Sequence, residues 1–272
     1  LGMLAADLIG FQTYDFARHF LSACESILLC EVSPTGVDYN SHFTEICICP
    51  VGIETESVNK IVKSNESIQY LKAVTKQFEG RKVMLGIDTL DPTKGLIHKL
   101  LGVEELFLQS PELAETTTFI QIGIGSHTLD RRAVQVLESQ INSIVTRINS
   151  QIRKRNGRVD FVDSIQYLIC TPNNTIDQIY ALLSLADVLV VTPIRDGMNT
   201  LPFEYVICRE SQDKLATVVL SEFTGCARSL GGAMLVNPWN TNELAKTLLE
   251  ALEDPKEDSM NFPDGGNGVG SG

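Results

Sequence analysis

Along residues 81–252 two spacings of apolar positions replace one another at regular intervals. Short, nearly continuous apolar runs read as strands at 82–87 (K-V-M-L-G-I), 117–123 (T-T-F-I-Q-I-G), 165–170, 187–191 (D-V-L-V-V), 216–220 and 233–236. Between them, apolar residues three and four apart predict helices over 95–108, 130–155, 176–185, 200–209 and 242–252. The 130–155 segment is the longest of these, with Leu137, Ile141, Ile144, Ile148 and Ile152 along one face. Strands that are apolar throughout need cover on both sides. The pattern therefore predicts an α/β fold, a doubly wound parallel sheet.

The first eighty residues read differently. A strand over 7–13 runs into a helix from Tyr14, with Phe16, Phe20, Leu21, Ala23 and Ile27 expected on its buried face. Residues 33–44 carry Pro34, Gly36, Asp38 and Asn40 and read as turns, before a strand E-I-C-I-C closed by Pro50 and Gly52. Residues 54–79 are polar and helical, with Ile61, Ile68, Leu71, Val74 and Phe78 marking a side that packs on something. The end of the chain places five glycines in its last eight residues and is expected to be flexible.

Charge narrows the function classes. Lys and Arg number 22 against 34 Asp and Glu, a formal net charge of −12, which argues against nucleic acid or an anionic membrane as partner. An apolar content of 43% suffices for a core, and no run reaches the ~20 residues of a membrane helix. The opening residues lack the basic region of a signal peptide, and Leu1 at the start reads as a fragment. Seven cysteines, an odd number set in apolar segments, suit reduced thiols and a cytoplasmic location. Cys47 and Cys49 share a strand face, but with only His42 nearby they read as small buried hydrophobes rather than metal ligands.

Ligands of such sheets sit where strands end and helices begin. Two loops there carry chemistry. The first, 88–95, holds Lys94 for an anion and Gly95 for close backbone approach; taken alone, a single lysine in a loop reads as a solvated charge. The second, 192–199 (T-P-I-R-D-G-M-N), leads into a helix whose opening amides, from Met198 to Leu201, suit a phosphate. Gly197 is expected to supply a turn with positive φ, Asp196 to accept from sugar hydroxyls, and Glu204 to hold a ribose diol. The structural alternative makes Asp196 and Asn199 turn and cap residues and Glu204 a surface charge. Gly123 and Gly125 form G-x-G, but Thr128 breaks the dinucleotide fingerprint. Arg153, Lys154, Arg155 and Arg158 close a helix, where cations suit the dipole. His19, His42, His98 and His127 belong to no nucleophile motif.

Three segments in order, L-I-G-F-Q-T-Y-D-F-A-R-H-F-L, G-R-K-V-M-L-G-I-D-x-L-D-x-x-K-G and R-D-G-M-N-T-L-P-F-E-Y-V, followed by L-S-E-F-T-G-C-A-R-S-L-G and L-V-N-P-W, resemble the trehalose-6-phosphate synthases. The resemblance spans about residues 1–252. It implies a retaining, metal-independent GT-B glucosyltransferase with no cofactor, moving glucose from UDP-glucose to glucose 6-phosphate to give α,α-trehalose 6-phosphate and UDP. It implies that residues 1–55 are the end of the acceptor-side Rossmann-like domain, 56–79 a connector, 80–254 the nucleotide-sugar domain and 255–272 a tail. By motif, Lys94 would hold the donor diphosphate and Asp196 the donor glucose, the pair forming the catalytic centre. Gly197, Met198, Asn199, Thr200 and Leu201 would cradle diphosphate and sugar, Glu204 the ribose, and Asn174 would flank the uracil.

Two positions depart from the family. An arginine that grips the diphosphate is replaced by Thr89, and another that meets the acceptor phosphate by His127. The family's glycine-rich loop and cleft histidine precede this segment, so the chain alone is expected to be inactive. The resemblance is compatible with an oligomer, or with a phosphatase domain or partner. Thr89 and His127 also keep open a second class of function: a catalytically weak homologue that binds UDP-glucose or a sugar phosphate and acts through partners.

Overall fold

The computed structural model describes residues 1–125, 130–156, 163–170 and 175–253. The chain begins with β1 (Leu8–Phe11), α1 (Tyr14–Leu28), β2 (Glu31–Ser33), β3 (Gly36–Tyr39) and β4 (His42–Ile48). These strands form one sheet in the order β1-β4-β3-β2, with β1 parallel to β4 and the rest antiparallel. Residues 33–44, expected as turns, are thus largely strand. The β3–β4 turn places Asn40 and Ser41 at φ 53° and 63°, the left-handed pair that a two-residue hairpin needs.

α1 buries Ala17 and Cys24, with Phe20, Leu21 and Leu28 alongside, whereas Phe16 and Ile27 face outward, as does Ala23. The inward face therefore runs through Ala17, Phe20, Leu21, Cys24 and Leu28, three and four residues apart, and leaves out Phe16, Ala23 and Ile27. Cys47 is half-buried and Cys49, beyond the end of β4, is exposed, which corrects the reading of both as buried. Among the described residues no His, Cys, Asp and Glu group has the arrangement of a metal site.

α2 (Thr55–Val62) and α3 (Asn65–Gln77) precede β5 (Lys82–Thr89), α4 (Leu96–Gln109), α5 (Leu113–Thr116), β6 (Thr117–Ile124), α6 (Arg131–Asn156) and β7 (Ile165–Cys170). Then come α7 (Ile176–Leu185), β8 (Val188–Val191), α8 (Leu201–Glu210), β9 (Thr217–Ser221), β10 (Met234–Val236) and α9 (Thr241–Glu253). The six strands are all parallel, ordered β10-β9-β8-β5-β6-β7. Along each strand alternate residues go to opposite faces. Met84, Val188, Val190 and Val219 pack with α4, α6 and α9. Leu85, Ile87, Leu189, Val191 and Leu220 pack with α2, α3, α7 and α8. Leu137, Ile141, Ile148 and Ile152 of α6 are buried as their spacing predicts.

This order positions the site. From β5 the chain steps outward to β6 and β7, then returns to place β8 on the other side of β5. Connections leaving two adjacent strands in opposite directions open a crevice at their carboxyl ends. The loops at that point follow β5 and β8: they are the two singled out from the sequence. The smaller sheet meets the larger beside them, where Arg228 donates to Asp15 at the start of α1 (2.7 Å).

Candidate active site

The loop after β5 turns through a short 3-10 segment, Pro92–Lys94, capped by Asp91, whose Oδ1 accepts from the Thr93 amide at 2.8 Å. Gly95 then adopts φ 69° as the chain enters α4. Its missing side chain is required twice over: a Cβ there would lie 2.0 Å from the Thr192 carbonyl oxygen. The Thr93 carbonyl accepts from the amides of Ile194 (2.8 Å) and Arg195 (3.3 Å), so main chain laces the two loops together. Gly95→Ala should separate them. Left-handed backbone costs an alanine about 1–2 kcal/mol before the clash is counted, and a guanidinium unfolding midpoint will register that loss.

The lacing brings Lys94 Nζ to 3.0 Å from Asp196 Oδ2, with the ammonium still about a quarter exposed and the carboxylate nearly buried. The same Oδ2 accepts from Asn199 Nδ2 at 3.1 Å. Asn199 Oδ1 accepts from the Leu201 amide, the first of α8, at 3.1 Å. The N-cap position itself is Thr200, so Asn199 acts as a turn residue just before the cap, while Asp196 serves the ion pair. Of the amides expected to face a ligand, that of Leu201 is thus engaged within the protein. Beneath the loop, burial pushes the pKa of the Cys226 thiol upward, and its sulfur lies 3.3 Å from Thr224 Oγ1.

Gly197 departs from its expected role. Positive φ among the described glycines falls at Gly80 and Gly95, and a Cβ on Gly197 would meet open space. The constrained glycine beneath this loop is Gly225, where a Cβ would lie 2.0 Å from the Gly197 carbonyl oxygen and 3.1 Å from Thr13, the N-cap of α1. Gly197 leaves room above the α8 terminus; Gly225 lets the loop come down.

Glu204, one turn into α8, is half-buried. Its Oε1 accepts from Thr200 Oγ1 at 3.2 Å and its Oε2 from the Tyr180 hydroxyl at 3.0 Å. Burial first, and the Glu204 charge second, raise the Tyr180 pKa well above the ordinary tyrosine value, so its proton stays in place. Burial and the same carboxylate push the Cys208 thiol up to about 12. Thr89 ends β5, partly buried and in register with Ile124. Asn174 and His127 lie outside the described residues. Sequence reading missed Tyr180, though a hydroxyl on the apolar face of a helix needs a buried partner.

Glycosyltransferase family 20 matches residues 1–262 of the sequence. The chain belongs to glycosyltransferase family 20. The 56 kDa subunit of the UDP-forming α,α-trehalose-phosphate synthase of Kluyveromyces lactis is 39% identical over 256 residues, covering 94% of this chain and 50% of that protein. The N-terminal domain of Candida albicans trehalose-6-phosphate phosphatase superposes with a TM-score of 0.83 at 34% identity, over 93% of this chain and 52% of that one. A Burkholderia xenovorans UDP-forming α,α-trehalose-phosphate synthase, solved with glucose-6-phosphate, gives 0.83 at 27% identity, over 92% and 54%. This family 20 chain thus spans about half the length of each of these three relatives, and about a quarter of an Arabidopsis thaliana one. Among its described residues no helix is long and apolar enough to cross a membrane.

Proposed function

We propose that the whole protein transfers glucose from UDP-glucose to glucose 6-phosphate, with retention at the anomeric carbon, releasing UDP and α,α-trehalose 6-phosphate. The observation that carries this reading is the 3.0 Å approach of Lys94 to Asp196 at the β5/β8 crevice. A departing UDP carries its negative charge on the diphosphate, and Lys94 is placed to receive it, with the Met198 and Thr200 amides at the α8 terminus. Asp196 would then turn from the ammonium to the glucose hydroxyls, and Glu204 would take the ribose. The family resemblance and the relative's UDP-forming name support this assignment of roles. The seven cysteines, all unpaired, support a cytoplasmic location.

The test is UDP release by the full-length protein supplied with both sugars. Thr89→Arg should raise the rate about 10- to 150-fold, since one charge-assisted contact is worth roughly 1.5–3 kcal/mol and 1.36 kcal/mol is a decade. Thr89 is the one described residue that favours the alternative of a weak, regulatory homologue. UDP-glucose binding without any UDP release, in wild type and Thr89→Arg alike, establishes that alternative.

A further inference from the structure

We propose that Tyr180 is a positioning residue for the nucleotide's ribose, acting through Glu204 and setting the protein's selectivity for a ribose diol. The inference rests on the reading of Glu204 as the ribose carboxylate and adds a residue on a different helix to it. Tyr180 stands on α7, buried in the core that α7 shares with α8, with its hydroxyl 3.0 Å from Glu204 Oε2. Thr200 Oγ1 lies 3.2 Å from the other oxygen, Oε1. Each oxygen of a carboxylate has two acceptor directions. One direction on each is filled from inside the protein, which leaves one on each for an incoming pair of hydroxyls. A vicinal diol presents two donors at the separation of two carboxylate oxygens. The fit depends on the plane of the carboxylate, and a glutamate terminal torsion is broad unless something fixes it.

Tyr180 fixes it from a rigid base. Its ring is held among packed apolar side chains, and its own carbonyl accepts from Ser184 Oγ at 2.9 Å within α7. Thr200, by contrast, belongs to the loop that leads into α8. The tyrosine hydroxyl is therefore the anchor tied to the core. Its raised pKa keeps the proton on the phenol oxygen, so the bond to Glu204 persists across the pH range in which the protein works.

The experiment measures binding of UDP and of 2′,3′-dideoxy-UDP to the full-length protein by calorimetry, for wild type and for Tyr180→Phe, which keeps the ring and its packing. Wild type should prefer UDP. Tyr180→Phe should lose about tenfold in UDP affinity and keep its affinity for the dideoxy nucleotide, so that the preference narrows. A wild type that binds both nucleotides equally overturns the ribose role of Glu204 itself. A wild type that discriminates, with a Tyr180→Phe variant that discriminates just as well, overturns the role of Tyr180 alone. Equal weakening toward both nucleotides shows a general loosening of α7 against α8 and overturns it too.

Discussion

Lys99→Met should lower the stability of the chain by about 3–5 kcal/mol, the usual consequence of stranding one member of a buried ion pair. Lys99 Nζ lies 2.5 Å from Asp88 Oδ2, and neither side chain has appreciable contact with solvent. Gln121 Nε2 donates to the same oxygen at 2.9 Å. Gly86 makes the space: a Cβ there would stand 2.8 Å from the ammonium. With methionine at position 99, Asp88 keeps one neutral donor and no counter-charge, in a region water does not reach. Adding Asp88→Asn to Lys99→Met should recover most of the loss, because the amide carries no charge to strand. Guanidinium unfolding of both variants decides the matter. A single variant within ~1 kcal/mol of wild type would show that the pair contributes little. The pair also bears on the site, since Asp88 stands immediately before Thr89 at the end of β5 and Lys99 lies on the helix that the Lys94 loop begins.

The fold of residues 81–252 was legible because the four inner strands of the larger sheet, β9, β8, β5 and β6, are covered on both faces and so read as apolar runs bounded by polar turns, while the partly exposed edge strands β7 and β10 keep enough apolar residues to be read beside them. β7 and α7 fall where the spacing puts them, and the other strands and long helices of that sheet within a residue or two. The strand order was not legible, because periodicity records which faces are buried and not which neighbours a strand takes. β2 and β3 escaped notice for a related reason. They are three and four residues long, with Gly36 and Asp38 interrupting the alternation, and their pairing is fixed by the left-handed Asn40 and Ser41. In the site, each loop could be read singly, but Lys94 and Asp196 are 102 residues apart, and only the crossover from β5 to β8 brings them together. Gly197 attracted a conformational role that belongs to Gly95, because sequence shows that a glycine is present without showing what a side chain there would strike. Tyr180 and Lys99 share that obscurity. Each is a polar group on a helix face that otherwise packs apolar, and its partner stands on another element.

Asp196→Ala should affect UDP-glucose and UDP in opposite senses. The Lys94 ammonium is held by the Asp196 carboxylate, the group proposed to turn to the donor's glucose. Removing the carboxylate takes away acceptors for sugar hydroxyls, each charge-assisted bond worth roughly 1.5–3 kcal/mol. With two such bonds lost in the transition state, UDP release should fall about 10²–10⁴-fold in the full-length protein. UDP itself has no glucose to lose. It should bind at least as well as to wild type, because the ammonium is freed and a like charge near the diphosphate is gone. Lys94→Ala should weaken both ligands together, since both carry the diphosphate. Titrating each ligand against each variant separates the roles. If Asp196→Ala weakens UDP as much as UDP-glucose, Asp196 acts by shaping the loop, through its bonds to Lys94 and Asn199, rather than by contact with the sugar. If neither ligand responds to either variant, the donor does not sit between these loops.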